Sequence, residues 1–578
     1  MLRTLLIIVL VSVLTLLGWL ALGARSPRAD FVLTCSEPRT LDPQRVSWLS
    51  EIQLAGAMFE GLTRLNAETF RPEPAVAGRW DVSDDRATYT FDLRPQARWS
   101  NGEPVVADDF RFAWLRVLDP RSEAQYASLM FVIRGAEDYY RSRLNDDPAD
   151  DVPAEAVGIE VLDTLRLRVT LASPCPYFLD LTSFVTFSPT PRATIERWAY
   201  RDGHVLRSTQ HLWTRPGNMV CNGAFVLAGW DFKRSIRLRR NPYYWDAAAI
   251  GVDSIEACIT SDPNAALIAY QTGRVDLVTP LERSAAATLL AEQAAGRRHD
   301  FHSGDRFATY FYRVNCRRPP LDNPDLRKAL GLAIDREAIC AHVLRLGESP
   351  AYTFVPRGAL NLMPRVSATG ETIYYQPPAG LGAALGKEER EALAREYLRR
   401  SGLDPVATRP LEIAFPPEPE QRLIAEAIQA MWESVLGIHV ELRTIEGKVL
   451  SSRIRNLDYD LARSDWFGDY MDPATFLNMF TTDSDQNRTG WSSPRYDRLI
   501  AAAAAERDDA RRFASLSSAE SVLCDDELPI LPIFFRRGNY LLNPRFEGLN
   551  DNVRDLLPIH LARVARPGRF TTGGASPC

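Results

Sequence analysis

Seven histidines limit the metal-assisted and acid–base chemistry this chain could perform: His204, His211, His299, His302, His342, His439 and His560. Protein metal sites draw two or more ligands from one short segment or one helix face, and no HExxH or HxH spacing occurs among these seven. His299 and His302, the pair within helical reach, sit in a polar stretch without helical periodicity. Gly380-Leu381-Gly382 with Gly386 mimics a dinucleotide-binding loop, yet the preceding residues Tyr374–Ala379 form a proline-containing loop where a strand would be required. No phosphate-binding GxxxxGK[ST] and no GxSxG turn around a nucleophilic serine is present. The eight cysteines, Cys35, Cys175, Cys221, Cys258, Cys316, Cys340, Cys524 and Cys578, contain no CxxC pair, which removes zinc ribbons and thioredoxin-like redox chemistry. A catalytic carboxylate pair stays open, because 74 acidic residues leave many candidates. The reading is of a non-enzyme with no metal and no cofactor.

Binding remains as the alternative to catalysis. At 578 residues the chain exceeds the size of a single hydrophobic core, so several lobes are expected. A net charge of -6 argues against a nucleic-acid partner, which needs a basic face for phosphates. Residues 5–24 (LLIIVLVSVLTLLGWLALGA) carry no charge, follow Arg3, and are long enough to span a bilayer as a helix. Ala21-Leu22-Gly23 resembles a cleavage site, so both a cleaved signal peptide and a retained anchor stand. Either takes the chain out of the cytoplasm. Cys35 lacks the small preceding residues of a lipid-attachment site and reads as a buried strand cysteine.

The elements behind the leader mix strands and helices. Phe31–Thr34 reads as a strand, and Ser50–Leu62 has apolar residues at helical spacing. Alternation predicts strands at Thr88–Leu93, Ala97–Trp99, Gly158–Val161 and Leu165–Leu171. Asp108 or Asp109 is expected to cap the helix carrying Phe110 and Trp114. Ala224–Trp230 with Ser235–Arg239 reads as a hairpin, and Pro324–Leu346 as helical. Leu411–Phe415, Glu420–Leu436 and Ile438–Leu442 form a strand–helix–strand unit, and Leu531–Phe535 a further strand. The fold class is mixed α/β.

Ordered segments add a resemblance to this reading. The densest runs through Ala77-Gly78-Arg79-Trp80, Thr88–Arg94, Arg98–Val105, Ala107–Phe110, Trp114-Leu115-Arg116 and Asp119-Pro120. Around it lie Leu41-Asp42-Pro43, Phe59–Leu62, Pro176-Tyr177-Phe178, Cys221–Phe225, Asn241–Trp245, Gly273–Asp276, Pro324–Leu330, Pro350-Ala351-Tyr352 and Asp469–Pro473. Together they resemble the extracytoplasmic solute-binding proteins of family 5, in particular the oligopeptide-binding branch, collinearly over residues 31–565. The resemblance implies a two-lobed periplasmic-binding-protein type II fold with an extra third domain. Lobe one would comprise 31–59, 189–307 and 537–578, the extra domain 60–188, and lobe two 308–536, behind a leader at 1–29. It further implies a monomeric receptor that captures a small peptide between closing lobes and delivers it to an ABC transporter permease. A membrane-tethered sensor, or capture of another solute such as a murein peptide, is the alternative.

The same resemblance nominates site residues. In Trp466-Phe467-Gly468-Asp469-Tyr470, Asp469 would pair with the peptide's α-ammonium; its structural alternatives are capping the helix near Pro473 or pairing with an arginine. Arg463 would meet the ligand's carboxylate, or else pair with Asp460 or Asp465. Trp466, Phe467, Tyr470 and Tyr126 would line the pocket, and Arg453 is expected as a solvated strand residue. Five positions depart from the family pattern. Phe467 and Ala308 stand where many relatives have a disulfide, Glu446 replaces a pocket tryptophan, Gln421 a histidine, and Arg313 an acidic residue.

Overall fold

The computed structural model describes residues 27–565 except 67–68, 146, 203–204, 280, 357–364, 367–370, 408, 550–552 and 555. The apolar leader, His204, Cys578 and residues 566–578 of the expected first lobe lie outside them. Among the described residues no helix is long and apolar enough to cross a membrane, and no group of three or more His, Cys, Asp or Glu could hold a metal ion.

One eleven-stranded sheet organises the chain. Its path runs Phe225–Asp231, Ser235–Arg240, Ser254–Ile259, Phe31–Cys35, Leu277–Val278, Ile530–Leu542, Phe301–Val314, Leu461–Phe467, Leu411–Phe415 and Val440–Thr444, with Ser349–Pro350 paired to the long strand Ile530–Leu542. Parallel pairs (Phe31–Cys35 with Ser254–Ile259, Leu411–Phe415 with Val440–Thr444) and antiparallel pairs coexist, giving the mixed α/β class read from the sequence. A separate antiparallel four-stranded sheet holds Ala77–Val82, Thr88–Leu93, Arg166–Thr170 and Ile159–Asp163, against which the helix Ala107–Val117 buries Phe110, Ala113 and Trp114.

The two longest strands, Phe301–Val314 and Ile530–Leu542, lie antiparallel in the middle of this path. Their register shifts between Asp305 and Thr309; such an irregularity bends a strand and re-aims its side chains. One apolar core gathers residues from Phe31–Leu277 with Tyr470, Ala474 and Tyr540–Ala562, and another residues from Tyr310–Leu461 with Leu528–Phe534.

Several local expectations need correction. The helix expected over Ser50–Leu62 spans Leu49–Met58, with Phe59 already extended. Beyond it Gly61 packs on the Thr182 carbonyl, which a Cβ would meet at 2.2 Å. Asp109 does not cap its helix by occupying the first position. It lies in the first turn and accepts from the Val106 amide at 2.9 Å. Ala97–Trp99 forms an isolated bridge, Arg98 to Pro104, and no strand. Pro324–Leu346 is three consecutive helical pieces, broken at Ala333–Asp335. Arg453 lies on the helix Gly447–Arg455 and not on a strand.

Candidate functional site

The strand Leu461–Phe467 pairs antiparallel with Phe301–Val314, Arg463 opposite Tyr312, Asp465 opposite Tyr310, and Phe467 opposite Ala308. Side chains two apart share a face, so Arg463 and Asp465 project together while Trp466 faces the other way. The Trp466 indole donates to the Thr475 carbonyl at 2.9 Å. Phe467 at the strand end stays 45% exposed. Its register with Ala308 shows that the two positions expected to hold a disulfide do face each other, here as Phe and Ala.

Past the strand the chain turns through Gly468–Asp472. Gly468 is required by contact: a Cβ there would stand 2.3 Å from the Phe307 ring. The turn is held by its backbone. The Gly468 amide donates to the Phe307 carbonyl at 2.8 Å, the Asp469 amide to Thr475 Oγ1 at 3.0 Å, and the Met471 amide to Asp180 Oδ2 at 2.6 Å. Arg554 donates to the Asp469 carbonyl and, at 2.9 Å, to Asp180 Oδ1. Tyr470 is buried with its ring stacked on Tyr177, centroids 3.9 Å apart.

Within this held turn the Asp469 carboxylate is different. Among the described residues no hydrogen bond or ion pair reaches it. Burial raises its pKa to about 7, opposed by the nearby Arg554 charge. Tyr126 lies close enough for the Asp469 charge to add to the burial that raises its phenol, and its ring meets Phe184 edge-on at 5.0 Å. The structural alternatives raised for Asp469 fall instead to Asp472. That carboxylate accepts from the Ala474 amide at 3.0 Å and grips Arg512 at 2.6 and 2.8 Å, with Arg365 behind. Burial alone would raise the Asp472 pKa; Arg512 and Arg365 hold it below the usual range.

The other end of the strand is cationic. Arg463 donates to Asp465 at 2.8 Å, and Arg536, from Ile530–Leu542, donates to the same carboxylate at 2.9 Å. Asp460, the other partner weighed for Arg463, is taken by Arg409 at 2.5 and 2.8 Å. Despite burial, Asp465 is held below its usual pKa by Arg463 and then Arg536. Sequence reasoning nominated Asp469, Tyr126 and Arg463. It missed Arg554, Asp180 and Arg536, because their contacts are made across 85, 291 and 71 residues.

The departures resolve into local roles. Gln421 is buried and accepts from the Tyr310 hydroxyl at 2.8 Å. Glu446 caps the helix Gly447–Arg455, and Arg453 pairs with Asp458 and Glu412 at 2.9 and 3.2 Å. Arg313 is buried, donating to Ser464 Oγ and the Gln486 carbonyl, with burial pulling its pKa to about 10.

Comparison with known proteins places this geometry. The family described as bacterial extracellular solute-binding proteins, family 5, matches residues 71–488. The dipeptide-binding protein DppE of Bacillus subtilis is 32% identical over 519 residues, covering 89% of this chain and 88% of that protein. The periplasmic oligopeptide-binding protein OppA of Salmonella typhimurium is 29% identical, covering 88% and 87%. Among solved structures, the Escherichia coli murein tripeptide binding protein MppA has a TM-score of 0.77 at 27% identity, covering 94% of this chain and 99% of that one. Haemophilus influenzae OppA in complex with the peptide RPPGFSPFR has a TM-score of 0.75 at 27% identity, covering 94% and 100%. The chain, with its mixed sheet and its anchored Asp469 turn, belongs to the bacterial extracellular solute-binding proteins of family 5.

Proposed function

We propose that this protein is an extracytoplasmic receptor that captures small peptides between two closing lobes and delivers them to an ABC transporter permease. The observation that carries the reading is the Asp469 carboxylate, raised to about 7 and, among the described residues, neither hydrogen-bonded nor ion-paired inside a turn whose backbone is otherwise tied down. A buried carboxylate is stable as an anion when a cation joins it, and a peptide's α-ammonium is that cation. The relatives support the class of ligand, since they are named for binding dipeptides, oligopeptides or murein tripeptide.

In this reading Asp469 takes the ammonium, Arg463 faces the ligand's carboxylate, and Tyr126, Trp466, Phe467 and Tyr470 line or back the pocket. The lobes are 31–59 with 189–307 and 537–578, against 308–536, and 60–188 is an added domain. Two ties across these segments support closure as the state described. Arg283 reaches Glu420 and Glu348, each at 2.8 Å, and Asp180 receives the Met471 amide. The ligand's backbone would join a strand edge, with hydrated side-chain pockets blunting sequence preference. The receptor acts as a monomer without catalysis or cofactor, and residues 1–29 export it as a signal peptide or hold it at the membrane. A murein peptide is the second reading, favoured by the likeness to MppA.

Mass spectrometry of ligand co-purifying with residues 30–578, followed by calorimetric titration with the identified peptide and its N-acetyl form, tests the proposal. The expected result is a bound peptide whose affinity falls on the order of a thousandfold on acetylation, the equivalent of about 4 kcal/mol. Equal affinity for free and acetylated forms would remove Asp469 from the site, and turnover of the peptide would make the protein an enzyme.

A further inference from the structure

At the end of Leu461–Phe467 away from Asp469, hydrogen-bond donors outnumber acceptors. The Arg463 and Arg536 guanidiniums both lie over the Tyr310 ring, 5.0 and 5.4 Å from its centroid, and Tyr310 is itself stacked on Phe534 at 4.7 Å. Such stacking fixes a guanidinium's plane and direction. Each guanidinium carries five N–H groups, and Asp465 alone accepts from both. The Nε of Arg463 and the Nε of Arg536 are buried without a hydrogen-bond partner among the described residues. Glu420 does not relieve them. Its Oε2 accepts from Arg283 at 2.8 and 3.0 Å, and its Oε1, 3.7 Å from Arg536, is beyond hydrogen-bonding distance and likewise without a partner. The side chains of Arg463 and Arg536 keep 16% and 18% exposure, so the pair is not sealed from an arriving group.

Unmet buried donors in a folded protein require an explanation, and two guanidiniums fixed on one aromatic face suit a carboxylate, which accepts two parallel N–H bonds from each fork. We propose that Arg536 is a specificity-determining residue, forming with Arg463 over Tyr310 a two-guanidinium pocket for a carboxylate of the ligand. The proposal rests on the peptide reading above and narrows it: peptides bearing a negative charge at this pole are preferred over neutral or basic ones. The carboxylate comes from an acidic side chain or from the peptide's own C-terminus. Asp465, held ionised by the same two arginines, keeps them oriented in the empty protein and shares them when the ligand arrives. Arg536 carried no signal in the sequence, since it follows Phe535 in an apolar strand and meets Asp465 only through the sheet.

The test is a calorimetric series with alanine peptides of three to five residues, each carrying Glu, Gln or Lys at one position and a free or amidated C-terminus. Wild type, Arg536→Gln and Arg536→Lys are compared, with circular dichroism and thermal unfolding as folding controls and the ratio of affinities within each protein as the readout. Wild type is expected to prefer Glu to Gln at one position, or the free acid to the amide, by more than tenfold. Arg536→Gln is expected to reduce that ratio below threefold, with Arg536→Lys, charged but lacking the fork, between them. A Glu preference assigns the anion to a side chain and a free-acid preference to the terminus. If neutral amidated peptides bind wild type and neither change discriminates, or if the preference survives in Arg536→Gln, the pocket is overturned while the peptide reading stands. If none of the peptides binds, both fall.

Discussion

Asp469 and Asp472 lie three residues apart in one turn, and their surroundings are opposite. Asp472 is fully buried, gripped by Arg512 at two distances under 3 Å, backed by Arg365, and bonded to the Ala474 amide. Asp469 keeps every tie on its backbone, and its carboxylate has none among the described residues. The difference separates a carboxylate that the fold uses from one that, in the proposed reading, is kept for a ligand. Removing a partner from a buried ion pair leaves an uncompensated charge, whereas a lone buried carboxylate strains the empty protein until a cation arrives.

Five measurements would break or sharpen this contrast. The largest effects are expected from single truncations read by different assays. Asp469→Ala should weaken peptide binding by roughly 3–5 kcal/mol, and N-acetylating the peptide should add little in that variant because the coupled pair is already gone. Arg512→Ala should lower folding stability by a similar ~3–5 kcal/mol, measured by urea denaturation without ligand. If the two variants showed the same phenotype in both assays, the distinction between these carboxylates would be lost.

Smaller and opposite in sign is the effect of Asp469→Asn on the empty protein. A folded-state pKa near 7 lies above an ordinary aspartate's value of about 3.9 in the unfolded chain. Between those values the folded state binds more protons at this group, so the Asp469 contribution to stability is greatest below about pH 4 and is lost as pH rises through about 7. Asparagine removes that penalty and should stabilise the unliganded protein at neutral pH by on the order of 2 kcal/mol, while abolishing stabilisation by ligand. Glu520, also raised to about 7 by burial but bonded to Tyr375 and two backbone amides, should leave its own slope in the stability profile of the variant.

Binding itself should follow pH in the opposite direction. The ammonium needs ionised Asp469, so affinity in the wild type should fall by up to tenfold per unit as pH drops below about 7. It should fall again above about 8, where an α-amino group loses its proton. Titration at pH 5, 7 and 9 checks both limbs; a flat profile from 5 to 7 would mean that the empty protein keeps Asp469 solvated. The smallest effect expected is that of Phe467→Ala on stability, within ~0.5 kcal/mol, because the ring is 45% exposed.

Much of this protein was legible before any coordinates. The mixed strand and helix pattern and the ordered family segments lead to the fold class and the family, because both are written in local spacing. Periodicity located Leu411–Phe415, the helix at Pro419–Leu436 and the hairpin at Phe225–Arg240 within a residue or two of their bounds. Where the expected helix ran past Met58, Phe59 is already extended, and the chain beyond it packs Gly61 against the distant Thr182 carbonyl.

The sequence by itself determined which residue types are available and which segments are strand or helix, since backbone propensity and side-chain period act over a few neighbours. Only the tertiary structure decided how the charges were shared out. Asp460 took Arg409, Asp472 took Arg512, Asp465 took Arg463 and Arg536, and Asp180 took Arg554 and the Met471 amide. With 68 basic and 74 acidic residues in the chain, no local rule says which pairs form, because ionic contact depends on distance in space and burial, and both are set by a sheet that joins strands hundreds of residues apart. What remained after that sharing, among the described residues, was a carboxylate with no direct partner at one end of Leu461–Phe467 and two guanidiniums with unused donors at the other.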